Sequence, residues 1–184
     1  IPTWFAERPS AAGVAAYMTS DADGTTPAET MRSGDSFYLQ LYGHTGGHAM
    51  SSFEVRLVED ASVCTVVPSS GSISPTYVGS LQGASGNEPD GGYSTDALNR
   101  NRDPVDTSTF FVKYSRFNKL APVTGSFVRL GDVRFTMVGT GSCLTSATVT
   151  TYYYDGGTTW IPGVTSGDQV TLRGNSLSLY TDAS

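Results

Sequence analysis

The chain has 184 residues, a formal net charge of −6 and only 11 Lys and Arg residues. This length suits one domain, and the scattered basic residues exclude the basic stripe that a nucleic-acid partner requires. The apolar stretches are far shorter than the roughly 18 residues of a membrane-spanning helix, so no membrane-spanning segment is expected. We predict one domain over residues 13–184, preceded by an N-terminal arm at residues 1–12.

Short runs of β-branched and aromatic residues recur along the chain between Gly, Asn, Asp and Ser, without helical periodicity. This pattern predicts an all-β fold. The first strand is expected at residues 13–19. Residues 36–42 and 52–58 then alternate strictly, so each has a core face and a solvent face, with Gln40 toward solvent. The predicted core residues of the two runs are Phe37, Leu39, Leu41, Phe53, Val55 and Leu57.

The middle of the chain loses this regularity. A strand is predicted at residues 62–67, and the following Gly-, Ser-, Asn- and Pro-rich stretch predicts a long loop insertion near residues 69–106. Alternation returns in three runs that predict further strands, at residues 109–115, 125–130 and 132–138.

The last part of the chain predicts a hairpin and two closing strands. Residues 146–154 and 158–161 flank Asp155-Gly156-Gly157, a turn sequence that accepts positive φ angles. The closing strands are expected at residues 169–172 and 176–180. Together these about nine strands predict a two-sheet sandwich.

The chain has two cysteines, Cys64 and Cys143, both in or beside predicted strands. A disulfide between them would close a long loop and contribute about 4 kcal/mol. The alternative is two buried free thiols. We predict the disulfide, and with it an oxidising, extracellular or cell-surface location.

The order of these segments resembles the cohesin family and the carbohydrate-binding sandwiches related to it. The stretches that carry the resemblance are residues 33–41, 51–63, 125–137 and 174–179. The resemblance implies a jelly-roll β-sandwich acting as a non-catalytic extracellular module that docks a protein partner or supports adhesion. A self-assembling filament subunit and a carbohydrate-binding module are the two alternatives.

An aromatic cluster in the predicted hairpin is the candidate binding surface. It consists of Tyr152, Tyr153, Tyr154 and Trp160. Successive strand residues face opposite sides, so one set of rings could stack on a sugar or fill a pocket of a partner. The alternative is that these rings cover the sandwich core.

The N-terminal arm is apolar and carries Ile1, Trp4 and Phe5. Such an arm could pair with an exposed sheet edge of a neighbouring copy and so build a filament. The alternative is a tail folded back on its own domain.

Two acidic groups are candidate calcium sites, because closely spaced carboxylates supply hard oxygen ligands. The first is Asp21, Asp23 and Glu29; the second is Asp96, Asp103 and Asp106. An ordinary acidic turn is the alternative for the first group, and local salt bridges to neighbouring arginines for the second. No cofactor is certain, and calcium is the one considered.

Enzyme chemistry is not expected. The sequence has no Gly-x-Ser-x-Gly nucleophile motif, its carboxylates are too scattered to nominate a glycosidase pair, and both histidines, His44 and His48, lie in one Gly-rich loop. The expected partners are a protein or further copies of the chain, with polysaccharide as the alternative.

Overall fold

The computed structural model describes residues 10–66, 72–73, 109–114 and 124–180. Within these ranges every regular element is a β-strand, and no helix has the length and hydropathy needed to cross a bilayer. The strands are β1 Gly13–Thr19, β2 Thr30–Met31, β3 Ser36–His44, β4 Met50–Glu59, β5 Cys64–Val66, β6 Ser72–Ile73, β7 Thr109–Tyr114, β8 Val128–Met137, β9 Gly141–Ser142, β10 Leu144–Tyr154, β11 Thr159–Trp160, β12 Thr171–Arg173 and β13 Ser176–Leu179.

Two sheets form the sandwich. One has the order β12-β1-β3-β8-β5, with β6 also paired to β8, and the other has the order β11-β10-β4-β7. Consecutive strands β3 and β4 lie in different sheets, so the chain crosses between layers. The predicted all-β, two-sheet sandwich is confirmed.

A third, small sheet joins β2, β13 and β9. Strand β13 matches the closing strand predicted at residues 176–180, whereas β2 and β9 were not predicted, because strands of two residues are too short to show a period of two. Asn175 anchors this sheet to β10: its side-chain amide accepts a hydrogen bond from the Leu144 N–H and donates one to the Leu144 carbonyl, both at 2.8 Å.

The core lies between the two main sheets and contains the predicted alternating residues. All six core residues predicted in β3 and β4 are fully buried, as are Val133, Phe135 and Met137 of β8. Phe37 and Phe135 face each other across β3 and β8 and stack at 5.5 Å between ring centroids. The strict alternation of these runs therefore located the core correctly.

Strand β8 is continuous where two strands were expected, at residues 125–130 and 132–138. A β-bulge at Leu130 joins the two runs, because Leu41 pairs with Gly131 and Tyr42 with Arg129. Leu130 and Val133 are both fully buried although three residues apart. The extra residue at the bulge shifts the alternation by one, so that both side chains reach the core.

Gln40 was expected toward solvent but is fully buried. Its side chain lies on the outer side of β3 and binds the loop that follows β1: Nε2 donates to Thr19 Oγ1 at 3.2 Å and to the Ala22 carbonyl at 3.3 Å. Its Oε1 accepts a hydrogen bond from Arg129 at 3.2 Å. The side chain is buried because a loop covers it, which alternation cannot predict.

The two cysteines form a disulfide in the structure, with their Cα atoms 5.4 Å apart and 79 residues of sequence separation. Cys64 opens β5 of the first main sheet, and Cys143 directly precedes β10 of the second. Both are fully buried. The bridge therefore ties the two main sheets together.

Candidate binding face

The predicted hairpin between β10 and β11 is present and sets the orientation of the aromatic cluster. Its turn places Asp155, Gly156 and Gly157 at φ angles of 53°, 72° and 84°, a conformation that glycine adopts without strain. The turn brings Tyr153 opposite Trp160 in register.

Tyr152 is a core residue. Its side chain is fully buried between the sheets, and its hydroxyl donates a hydrogen bond to the His44 carbonyl at 2.9 Å. Burial raises the pKa of its phenol. Tyr152 therefore belongs to the core, which was the alternative to a place on the binding surface for the rings of the predicted cluster.

Tyr153 and Trp160 lie on the outward side of the four-stranded sheet. Their neighbours Tyr152 and Ile161 are fully buried, and adjacent strand residues face opposite sides. The two rings meet edge to face, with centroids 5.1 Å apart and an angle of 88° between ring planes. Both side chains are half-buried.

Ser52 lies directly opposite Tyr153 on β4 and therefore on the same outward side. Its side chain is only 1% exposed, and its hydroxyl has no hydrogen-bond partner among the described residues. Leaving a buried hydroxyl unpaired costs on the order of 1–3 kcal/mol. Ser52 was not predicted as a site residue from the sequence. It lies two residues before Glu54 in the alternating run, and this spacing puts both side chains on the same side of the strand.

The next residues of the same side are Thr151 and Glu54, which oppose each other. The Glu54 carboxylate accepts a hydrogen bond from the Thr150 hydroxyl at 2.7 Å. Thr150 is the extra residue of a β-bulge between Val149 and Thr151. We call the outward side formed by Trp160, Tyr153, Ser52, Thr151 and Glu54 the outer aromatic face.

Tyr154 follows a second irregularity and turns away from this face. The register shifts between Tyr153 and Tyr154, where Ser51 is the extra residue on β4 and donates its hydroxyl to the Tyr153 carbonyl at 3.3 Å. The Tyr154 ring packs at the margin of the core, as Trp160 also does, and lies 4.4 Å from the His48 ring. The four predicted aromatic residues are therefore divided between core, margin and face.

The first predicted calcium group lies in the loop after β1. The Asp21 carboxylate closes a turn: it accepts hydrogen bonds from the N–H groups of Thr25 and Thr26, at 3.0 and 2.9 Å, and from the Thr25 hydroxyl. Asp23 and Glu29 are exposed. In the part of the chain that the structure describes, no three His, Cys, Asp or Glu side chains form a metal-binding group.

Several predicted residues lie outside the described ranges. They are the arm residues Ile1, Trp4 and Phe5 and the second acidic group Asp96, Asp103 and Asp106. Most of the predicted insertion at residues 69–106 lies there too.

No protein-family model matches the chain. No curated protein matches it either. The chain is similar to several solved structures, among them cohesin modules. A cohesin from Clostridium acetobutylicum, solved in solution, is 11% identical with a TM-score of 0.48, over 89% of this chain and 92% of that one.

The second is the cohesin module of a family 33 glycoside hydrolase from Clostridium perfringens, 11% identical with a TM-score of 0.47, over 92% of this chain and 99% of that one. The third is the sixth cohesin of scaffoldin B from Acetivibrio cellulolyticus, solved in complex with a dockerin, 11% identical with a TM-score of 0.48, over 91% and 99%. These cohesin structures are what the chain is similar to, and cohesins are the family that its segment order resembles.

Proposed function

We propose that the chain is a non-catalytic, extracellular binding module that docks a protein partner on the outer aromatic face. The observation that carries this proposal is the Tyr153–Trp160 pair beside the buried, unpaired hydroxyl of Ser52. Tyr and Trp are the residues most enriched at the energetic centres of protein interfaces. A half-buried pair is also held in place before binding, so that little side-chain entropy is lost when a partner covers it.

The remainder of the outer aromatic face suits a protein surface. Thr151 is a short, uncharged residue, which costs less to desolvate than an ion does. Glu54 is already paired with Thr150. A partner that buries this face therefore displaces water mainly from rings and hydroxyls, as at the centres of protein interfaces.

The ring geometry favours a protein over a polysaccharide. Rings at 88° to each other present one face and one edge, whereas two adjacent sugar units would need two open faces in one plane. The Ser52 hydroxyl is only 1% exposed, so a side chain or backbone group of a partner reaches it only when the side chains that cover it move aside. Such a group would meet its hydrogen-bonding requirement on binding.

The buried disulfide supports an extracellular location. Disulfides persist in oxidising compartments and are rare in the reducing cytosol. The Cys64–Cys143 bridge lies inside the core, where it strengthens the sandwich outside the cell.

Calcium binding remains a separate proposal for the loop of Asp21, Asp23 and Glu29. Its support is the proximity in sequence of three carboxylates. The test is a calcium titration followed by the amide resonances of Thr25 and Thr26, with Asp21→Asn as the variant. Unchanged resonances at millimolar-range calcium would contradict it.

The test of docking compares the wild type with Trp160→Ala and Tyr153→Ala, and uses Tyr180→Ala as the matched control. Tyr180 is an aromatic residue, 43% exposed, that follows β13 in the small third sheet. The immobilised proteins are exposed to a panel of dockerins and extracellular proteins and, separately, to insoluble polysaccharides. We expect a protein ligand whose affinity falls by at least about tenfold in both face variants, or ~1.4 kcal/mol, and is kept in Tyr180→Ala.

Two outcomes would contradict docking on this face. Protein binding that survives both face substitutions would place the site elsewhere. Retention on polysaccharide that is lost in Trp160→Ala would instead establish a carbohydrate-binding module.

A further inference from the structure

A groove opens between the two main sheets at the N-terminal end of β1, away from the outer aromatic face. Its volume is about 510 Å³, within the size range of ligand-binding clefts. One wall is formed by residues 10–14 and the other by Asp168, Gln169 and Thr171, with Val149 and Val164 between them.

The groove exists because one strand changes sheets. The segment before β12 is bonded to β10: the Val149 N–H donates to the Asp168 carbonyl and the Val170 N–H to the Ala147 carbonyl, both at 2.8 Å. Only from Thr171 onward does the chain pair with β1, over Ala15–Tyr17. Strand β3 covers the other edge of β1 from Gly13 onward. Among the described strands, none pairs with the groove side of β1 at Gly13 and Val14.

The lining of the groove suits an apolar, uncharged occupant. Its floor includes Val14, Val149 and Val164, each at most 4% exposed and part of the core. The wall at the start of β1 is built from Ser10, two alanines and Gly13, which leave room for large side chains. The one ionisable side chain of the described lining, Asp168, is already bonded to the Thr165 N–H and hydroxyl at 2.8 and 2.9 Å.

We propose that this groove accepts the N-terminal segment of a second copy of the chain, which makes it a self-assembly site distinct from the outer aromatic face. Residues 1–9 carry Ile1, Trp4 and Phe5 and join the domain at Ser10, on the rim of the groove. Nine extended residues reach about 30 Å, enough to enter a neighbouring domain. The open edge of β1 offers backbone hydrogen bonds to an added strand.

A second copy is a better donor than the same copy. Residues 10–14 form the wall of the groove, so the segment before them must reverse direction at the rim to enter its own groove. The segment of a neighbour enters without such a reversal. An intermolecular donor also leaves one free groove at one end of an assembly and one free segment at the other end, which permits chains of copies.

The experiment separates donor from acceptor. Deletion of residues 1–8 removes the donor, and Ala11→Arg places a charged side chain on the wall of the acceptor groove. Ala61→Arg, at an exposed alanine in the turn before β5, is the matched control. Self-association is measured by sedimentation velocity over a wide concentration series. We expect the wild type and Ala61→Arg to associate, and the deletion and Ala11→Arg each to weaken association by at least about tenfold.

Mixing the two defective proteins is the decisive step. The deletion variant keeps its groove and Ala11→Arg keeps its segment, so we expect a one-to-one complex that neither forms alone. A synthetic peptide of residues 1–9 should compete with that complex. Trp160→Ala should associate like the wild type, which keeps this result separate from docking on the outer aromatic face.

Three results would overturn self-assembly through the groove. One is a wild type that stays monomeric throughout the series. Another is association that persists in both defective proteins. The third is that the mixture forms no complex and each variant unfolds at a lower temperature than the wild type. In that case the N-terminal segment of each wild-type molecule would occupy the groove of the same molecule.

Discussion

The hydroxyl of Tyr152 lies 2.9 Å from the carbonyl oxygen of His44 and joins the two main sheets where β3 ends. Tyr152 belongs to β10 and His44 ends β3. The hydrogen bond is partly buried, so it links the two layers as well as contributing to stability.

Replacement of Tyr152 by Phe should destabilise the fold by about 1–2 kcal/mol, because the His44 carbonyl loses a buried donor. Chemical unfolding at neutral pH measures the change.

The pKa of Tyr152 is raised in the folded state, so folding keeps the phenol neutral while the unfolded phenol ionises above about pH 10. This contribution is present below that pH and is lost as the pH rises. Tyr152→Phe should show a smaller alkaline loss of stability than the wild type.

Gly43 should tolerate a methyl group only when the Tyr152 hydroxyl is removed. A Cβ at Gly43 would lie 2.7 Å from that hydroxyl oxygen and 3.3 Å from a Leu130 methyl. Gly43→Ala alone should cost about 1–3 kcal/mol through overpacking, and less in the Tyr152→Phe background. A double-mutant cycle measures the difference. Additive costs would show that the two residues do not compete for the same space.

Loss of the disulfide should cost about 4 kcal/mol, since the bridge spans a separation of 79 residues. The variant is Cys64→Ser with Cys143→Ser, and urea unfolding of oxidised and reduced wild type provides the comparison. Reduced wild type should resemble the double variant. If reduction left the unfolding midpoint unchanged, the bridge would be irrelevant to stability.

Ser52→Ala should separate stability from binding. It removes a buried hydroxyl that has no partner in the described structure while keeping nearly the same shape, so stability should rise by up to about 1 kcal/mol. If the hydroxyl is completed by a docked protein, the same variant should bind that protein more weakly. Thermal unfolding and binding assays on one sample measure both. Reduced stability would mean that the hydroxyl is satisfied within the chain.

The turn after β1 should loosen in acid. Burial alone would raise the pKa of Asp21, but hydrogen bonds from Thr25 and Thr26 outweigh it and hold the pKa below 3.8. The stabilisation is therefore present above about pH 4 and is lost as the pH falls through the folded-state value. The amide resonances of Thr25 and Thr26 should titrate with a midpoint below 3.8, and in Asp21→Asn this titration should disappear. A midpoint at or above 3.8 would contradict the bonding.

The alternation of apolar and polar residues predicted the strands and the core wherever a strand has no bulge and buries one of its two faces. Strands β3 and β4 are such runs, and β1 was located with its bounds at Gly13–Thr19. Bulges are where the prediction failed. One extra residue at Leu130 merged two predicted strands into β8, and one at Thr150 decided which tyrosine enters the core. A bulge leaves no signal in composition, because only the partner strand shows that a residue is extra.

The candidate face was partly accessible from sequence. The hairpin turn and the pairing of its flanks brought Tyr153 near Trp160, but the same pattern could not distinguish Tyr153 from Tyr152. Ser52 shows the opposite difficulty. The alternation shows on which side of β4 the Ser52 side chain lies, but its burial depends on neighbouring strands that lie far away in the sequence.

The Cys64–Cys143 bridge has a further consequence for the long segment between the two cysteines. A protease that cuts the chain anywhere from residue 67 to residue 123 leaves two pieces that remain one covalent molecule. Such a nicked protein would migrate as a single band without reductant and as two fragments with it. The bridge would also keep β5 beside the start of β10, so the two pieces would be held together at both main sheets.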